Sequence, residues 1–101
     1  MHNVLKIIHD QKNQEIGYIF ECPGCGEMHL IYVQQPSPSG FKWTFNNNLE
    51  KPTFSPSCNI KYKNNICHFF IIDGKIKFCD DSTHSLKGKE INLSAVFNTF
   101  T

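Results

Sequence analysis

Short runs of alternating apolar and polar residues, broken every few positions by glycine, proline or asparagine, make up most of this chain. Residues 4–8, 17–20 and 30–33 are rich in β-branched and aromatic side chains and predict strands. In 41–45, Phe41, Trp43 and Phe45 alternate with Lys42 and Thr44, the period of a half-buried strand, and three asparagines end it. Residues 34–40 have the composition of a loop. The clearest signal is a hairpin over 66–79, turned at Asp73-Gly74, a dipeptide suited to a two-residue type I′ turn. If Ile72 pairs with Lys75, then Ile71 faces Ile76, Phe69 faces Phe78, and Cys67 shares their mostly apolar face. His68, Phe70 and Ile72 point the other way, with Cys79 across from His68. Neighbouring Cys67 and His68 therefore do not serve the same ion in a regular strand. Residues 80–88 read as a turn, or one helical turn stopped at Gly88, and 94–100 read equally as a short helix or a strand. The expectation is one mainly β domain over residues 1–101, built from antiparallel hairpins with at most one or two short helices.

The segment 51–57, KPTFSPS, departs from this pattern. Pro52 and Pro56 remove backbone donors and hold φ near its proline value, which stiffens the chain without ladder bonds. In an extended stretch Thr53, Ser55 and Ser57 share one face and Phe54 anchors the other. One reading is an edge strand or loop whose hydroxyls satisfy their own backbone. The other gathers Thr53, Ser55 and Ser57 with His68, Asp81 and Thr83 into a polar concavity, with the donors, acceptors and titrating group that a binding or acid/base site needs.

Chemistry concentrates in Cys22-Pro23-Gly24-Cys25-Gly26-Glu27-Met28-His29. Two cysteines separated by Pro-Gly can aim both sulfurs at one point, and Gly26 supplies the positive φ that a turn under a metal needs. This is half of a zinc site, and Cys58, Cys67, His68, Cys79 or His84 must provide the rest. A thioredoxin-like redox pair expects a helix after the motif, whereas Gly26 and a strand follow here. The five cysteines are an odd number, and the first residues lack the apolar stretch of a secretory signal, so a reducing, cytoplasmic setting is expected.

At 101 residues the chain is small enough to benefit from a staple, and a structural zinc contributes on the order of 10 kcal/mol to such domains. A formal charge of +1 leaves no electrostatic footprint for non-specific nucleic-acid binding, although Lys61, Lys63, Lys75 and Lys77 lie on neighbouring segments. No apolar run approaches the length of a membrane span.

The succession C-P-G-C-G-x-x-H, W-x-F-N, K-P-T-x-S-P-S, C-H-x-F, D-G-x-I-x-F and D-S-T-H-x-L-x-G, over roughly residues 18–93, resembles a small group of bacteriophage and prophage proteins. Some members carry an ammonia monooxygenase label that these motifs do not support. The resemblance implies a phage or mobile-element origin and a zinc-ribbon-like β fold. Its pattern matches Cys22, Cys25, His29, Cys67, His68 and His84, while Cys58 and Cys79 stand at usually aliphatic positions. The expected zinc ligands are then Cys22, Cys25, Cys67 and His84, with His29 as the first substitute. Function is expected to be that of a zinc-stabilised phage accessory protein binding a host macromolecule and interfering with host defence. The alternatives are a metal-dependent hydrolase or nuclease using His68 and Asp81, and a nucleic-acid-binding zinc ribbon.

Overall fold

A computed structural model describes residues 5–93 of the chain; the expectation for 94–100 lies outside them. The chain forms eight strands: β1 (Lys6–His9), β2 (Glu15–Glu21), β3 (Met28–Tyr32), β4 (Thr44–Phe45), β5 (Phe54–Tyr62), β6 (Asn65–Ile72), β7 (Lys75–Phe78) and β8 (Glu90–Asn92). They make a three-stranded sheet in the order β1-β2-β3 and a five-stranded sheet in the order β4-β5-β6-β7-β8. Every pairing is antiparallel. The elements of the described residues are all strands, as the short alternating runs predict, and only Leu93, the last of those residues, has a helical backbone.

The β6–β7 hairpin has the register that Asp73-Gly74 predicts, with Phe69↔Phe78, Ile71↔Ile76 and Ile72↔Lys75 paired. Both turn residues have positive φ, 52° at Asp73 and 79° at Gly74, as a type I′ turn needs. A second tight hairpin joins β5 to β6, with Tyr62 paired to Asn65 and Lys63 at φ 52°. The strand expected over 41–45 shrinks to Thr44–Phe45. Trp43 donates its N–H to the Tyr32 carbonyl of β3 at 2.7 Å, so the chain leaves the edge of β5 there and ties the two sheets together.

The sheets pack through aromatic side chains. Phe20 of β2 meets Phe69 of β6 edge-on with centroids 5.8 Å apart, and Tyr18 meets Phe45 at 4.7 Å. Phe20, Ile31, Phe54, Phe69, Ile71, Ile76 and Phe78 are fully buried, the alternate residues of their strands as a one-sided sheet demands. Where β2 pairs with β3, with Gly17 opposite Tyr32, only glycine fits at position 17. A Cβ there would run into the Ile31 carbonyl oxygen and stand 3.0 Å from the Tyr32 Cα. Gly17→Ala is expected to force the strands apart and cost about 1–3 kcal/mol, the usual range for overpacking, read as a lower urea midpoint with unchanged slope.

Candidate active site and metal centre

Between Phe54↔Ile71 and Cys58↔Phe69, four steps along β5 match two along β6, so two extra residues are accommodated in the proline segment. The Ser55–Pro56 peptide within it is cis. This register shift ends the simple alternation of 53, 55 and 57. Thr53 turns toward the far hairpin, where its Oγ1 accepts the Asp73 N–H at 2.8 Å. Ser55 pairs with Thr44, whose hydroxyl donates to the Ser55 carbonyl at 3.3 Å. Ser57 alone of the three reaches His68, its Oγ 3.1 Å from Nε2. The Trp43 indole N–H holds the Ser57 carbonyl at 3.3 Å.

His68 extends the chain of contacts on its other side. Its Nδ1 lies 3.0 Å and 3.1 Å from the two carboxylate oxygens of Asp81. A carboxylate only accepts, so Nδ1 carries the proton and Nε2 is free to accept from the Ser57 hydroxyl. The backbone of His68 is clamped as well. Ser82 Oγ accepts its N–H at 3.1 Å and donates to its carbonyl at 3.0 Å, and the Cys79 N–H reaches the same carbonyl at 2.8 Å. Thr83 serves this clamp too, its Oγ1 accepting the Ile66 N–H at 3.0 Å. Ser57, His68 and Asp81 thus stand in line as hydroxyl, imidazole and carboxylate, the arrangement that activates a serine oxygen.

On the opposite face of β6, Cys67 is buried with Cys22. Donor atoms of Cys22, Cys25, His29 and Cys67 all lie within 4.8 Å of one another. The Cys22 and Cys67 sulfurs are 3.7 Å apart and Cys25 Sγ is 3.3 Å from His29 Nε2. A tetrahedral zinc with its usual bond lengths needs S···S edges of about 3.8 Å and S···N edges of about 3.6 Å. His29 is 3 % exposed, its ring stacked on Phe69 at 5.4 Å, rather than a strand-start histidine facing water. His84 stands beside this group and is not among the four. Its Nε2 is 3.6 Å from Cys67 Sγ, while its Nδ1 accepts the Leu86 N–H at 3.2 Å and its ring packs edge-on against Phe78. The ring also covers Gly24, where a Cβ would come within 2.7 Å of Nδ1.

Residues 2–79 match the model of a family described as bacterial ubiquitination-like system serine protease (BubE). The chain belongs to the BubE family. The match takes in Ser57 and His68, with Asp81 just beyond its end. No curated protein and no solved structure matches the chain.

The thiols of this BubE family member differ in character. Cys22 is acidified to about 4, chiefly by its hydrogen bond with Cys67, and Cys67 is pushed up in turn as the partner that keeps its proton. Burial pushes Cys25 up as well. Three thiols this close do not all ionise unaided, so a cation is what would hold the whole set as thiolates. A cleft of about 590 Å³, bordered by Met28, His29, Ile60 and Tyr62, gives an ion a way in past Cys25. Cys58 is a buried thiol, raised to about 12 by desolvation. Cys79 is only half-buried and lies on the face of His68.

Ser82 is the residue that sequence reasoning passed over. Its only sequence signal is a hydroxyl beside Asp81 in D-S-T-H, which reads as an ordinary helix cap. Ser82→Ala is expected to cost about 1–3 kcal/mol, because it strips the partner from the His68 N–H inside a closed turn. Thermal unfolding checks the cost, and faster hydrogen exchange at the His68 amide checks its location.

Proposed function

We propose that this chain is a serine hydrolase that cleaves amide bonds in proteins, with Ser57 as nucleophile, His68 as general base and Asp81 as the group that orients the imidazole. The observation that carries this reading is the unbroken chain Ser57 Oγ to His68 Nε2 at 3.1 Å and His68 Nδ1 to Asp81 at 3.0 Å. The family's description as a serine protease supports it independently. His68 Nε2 takes the hydroxyl proton as Ser57 Oγ attacks the carbonyl carbon, and Asp81 stabilises the imidazolium that forms. Nε2 then returns the proton to the leaving amine as the C–N bond breaks, leaving an acyl ester on Ser57. Water, deprotonated by the same nitrogen, hydrolyses that ester and restores the hydroxyl.

Cys22, Cys25, His29 and Cys67 are the residues we assign to a zinc ion, a closed set of three thiolates and one imidazole with a structural rather than catalytic role. Once bound, such an ion neutralises the thiolates and pins the Cys22–Cys25 turn to β6. The chemistry stays on the other face of that strand. In a bacterial ubiquitination-like system, the partner expected from the sequence becomes a protein substrate rather than a passively bound macromolecule. A phage- or prophage-borne copy would direct the same cleavage against the host's own conjugates, the form that interference with host defence would take. Five free cysteines suit a reducing cytoplasm.

An alkyl fluorophosphonate, which labels activated serines without needing a peptide sequence, tests the reading. Ser57 is expected to be the modified residue in mass spectra, with labelling abolished in Ser57→Ala and slowed about 10³–10⁴-fold in Asp81→Asn. Elemental analysis is expected to find about one zinc per chain in Ser57→Ala and little in Cys22→Ser or Cys67→Ser. A wild-type protein that stays unlabelled while folded and zinc-loaded would sink the hydrolase assignment.

A further inference from the structure

We propose that His68, Cys79 and Asp81 form a second divalent-metal site, and that a soft cation of the zinc class bound there reversibly silences Ser57. One donor atom from each of the three lies within 4.8 Å of the others. The trio mixes thiolate, imidazole and carboxylate, a zinc-type donor set, and three protein ligands leave a fourth position for water. Its place in the fold is fixed from the backbone. The Cys79 N–H donates to the His68 carbonyl at 2.8 Å, which sets the two side chains beside each other on the outer face of the five-stranded sheet.

Access separates this site from the buried one. His68 and Asp81 side chains are 23 % and 53 % exposed, and Cys79 is half-buried, so an ion can enter and leave from solvent without unfolding the domain.

Silencing follows from proton placement. Activation of Ser57 needs the His68 proton on Nδ1, facing Asp81, and an unprotonated lone pair on Nε2. A cation shared with Asp81 occupies Nδ1 instead. The neutral imidazole then carries its proton on Nε2, which donates to Ser57 and no longer accepts from it. Binding releases one proton overall, that of the Cys79 thiol, and leaves the charge of Asp81 committed to the metal. The inhibitory consequence rests on the serine hydrolase reading, whereas the binding itself does not.

The experiment uses protein already carrying one zinc, titrated with Co²⁺ and Cd²⁺. Wild type is expected to take up a second equivalent with a thiolate-to-cobalt absorption band, absent in Cys79→Ser. The rate of fluorophosphonate labelling is expected to fall at least about tenfold as Cd²⁺ is added and to recover with a weak chelator. Cys79→Ser should label normally without metal and need about ten- to a hundredfold more Cd²⁺ for the same inhibition. No second equivalent in wild type, or equal sensitivity of wild type and Cys79→Ser, overturns the site. Acceleration by the metal overturns the silencing role and makes the bound ion an activator of Ser57 instead. If wild type never labels, the hydrolase reading fails, and the cobalt band still decides the metal site.

Discussion

Strand β6 sends neighbouring residues to opposite faces of its sheet, and the functional layout of the molecule depends on that alternation. Cys67 points inward, where its sulfur lies 3.7 Å from Cys22. His68 points outward, where its two nitrogens meet Ser57 and Asp81. A single slip in register would exchange them, sending a thiol to the surface and an imidazole into the apolar layer. The register cannot slip cheaply, because Phe69 and Ile71 are buried on the same face as Cys67 and the Asp73-Gly74 turn admits one pairing. Core packing thus holds both sites in place, the cysteine group as part of the core and the His68 group on the face away from it.

The turn after β7 is the second support. It contributes Asp81 to one face of β6 and brings His84 toward the other, and its hydroxyls close the backbone between them. Ser82 bridges His68 and Thr83 bridges Ile66, so the turn is fastened to β6 in place of the missing ladder. Asp81 remains half-exposed yet is held within 3.1 Å of Nδ1 by this backbone clamp, not by burial of its own side chain. Such a clamp keeps the carboxylate in line with the imidazole, since a freely rotating one would spend little time there.

The proline segment shows how a local irregularity separates three hydroxyls that a regular strand would align. A regular β5 would alternate through 53, 55 and 57 without interruption. The two extra residues between Phe54 and Cys58 uncouple that row, so that Thr53 serves the far turn, Ser55 faces β4, and Ser57 is left against His68. The hydroxyls were recognisable from composition as candidates for one polar site. Their separation was not, because a bulge is a property of two paired strands and only one of them is visible in a local window.

From sequence alone, the alternating runs determined a mainly β fold, Asp73-Gly74 determined the register of one hairpin, and the spacing of Cys22 and Cys25 determined a turn shaped for a metal. The opposition of Cys67 and His68 was legible for the same reason, since period-two geometry follows from the backbone of any strand. Tertiary structure decided what lies far along the chain: that His29 gathers with Cys22, Cys25 and Cys67 while His84 stands beside Cys67, and that Ser57, His68 and Asp81 fall in line. These choices turn on differences of an ångström or two between residues brought together by sheet pairing and inter-sheet packing. Spacing along the chain sets which side chains can meet, and the packed core sets which of them do.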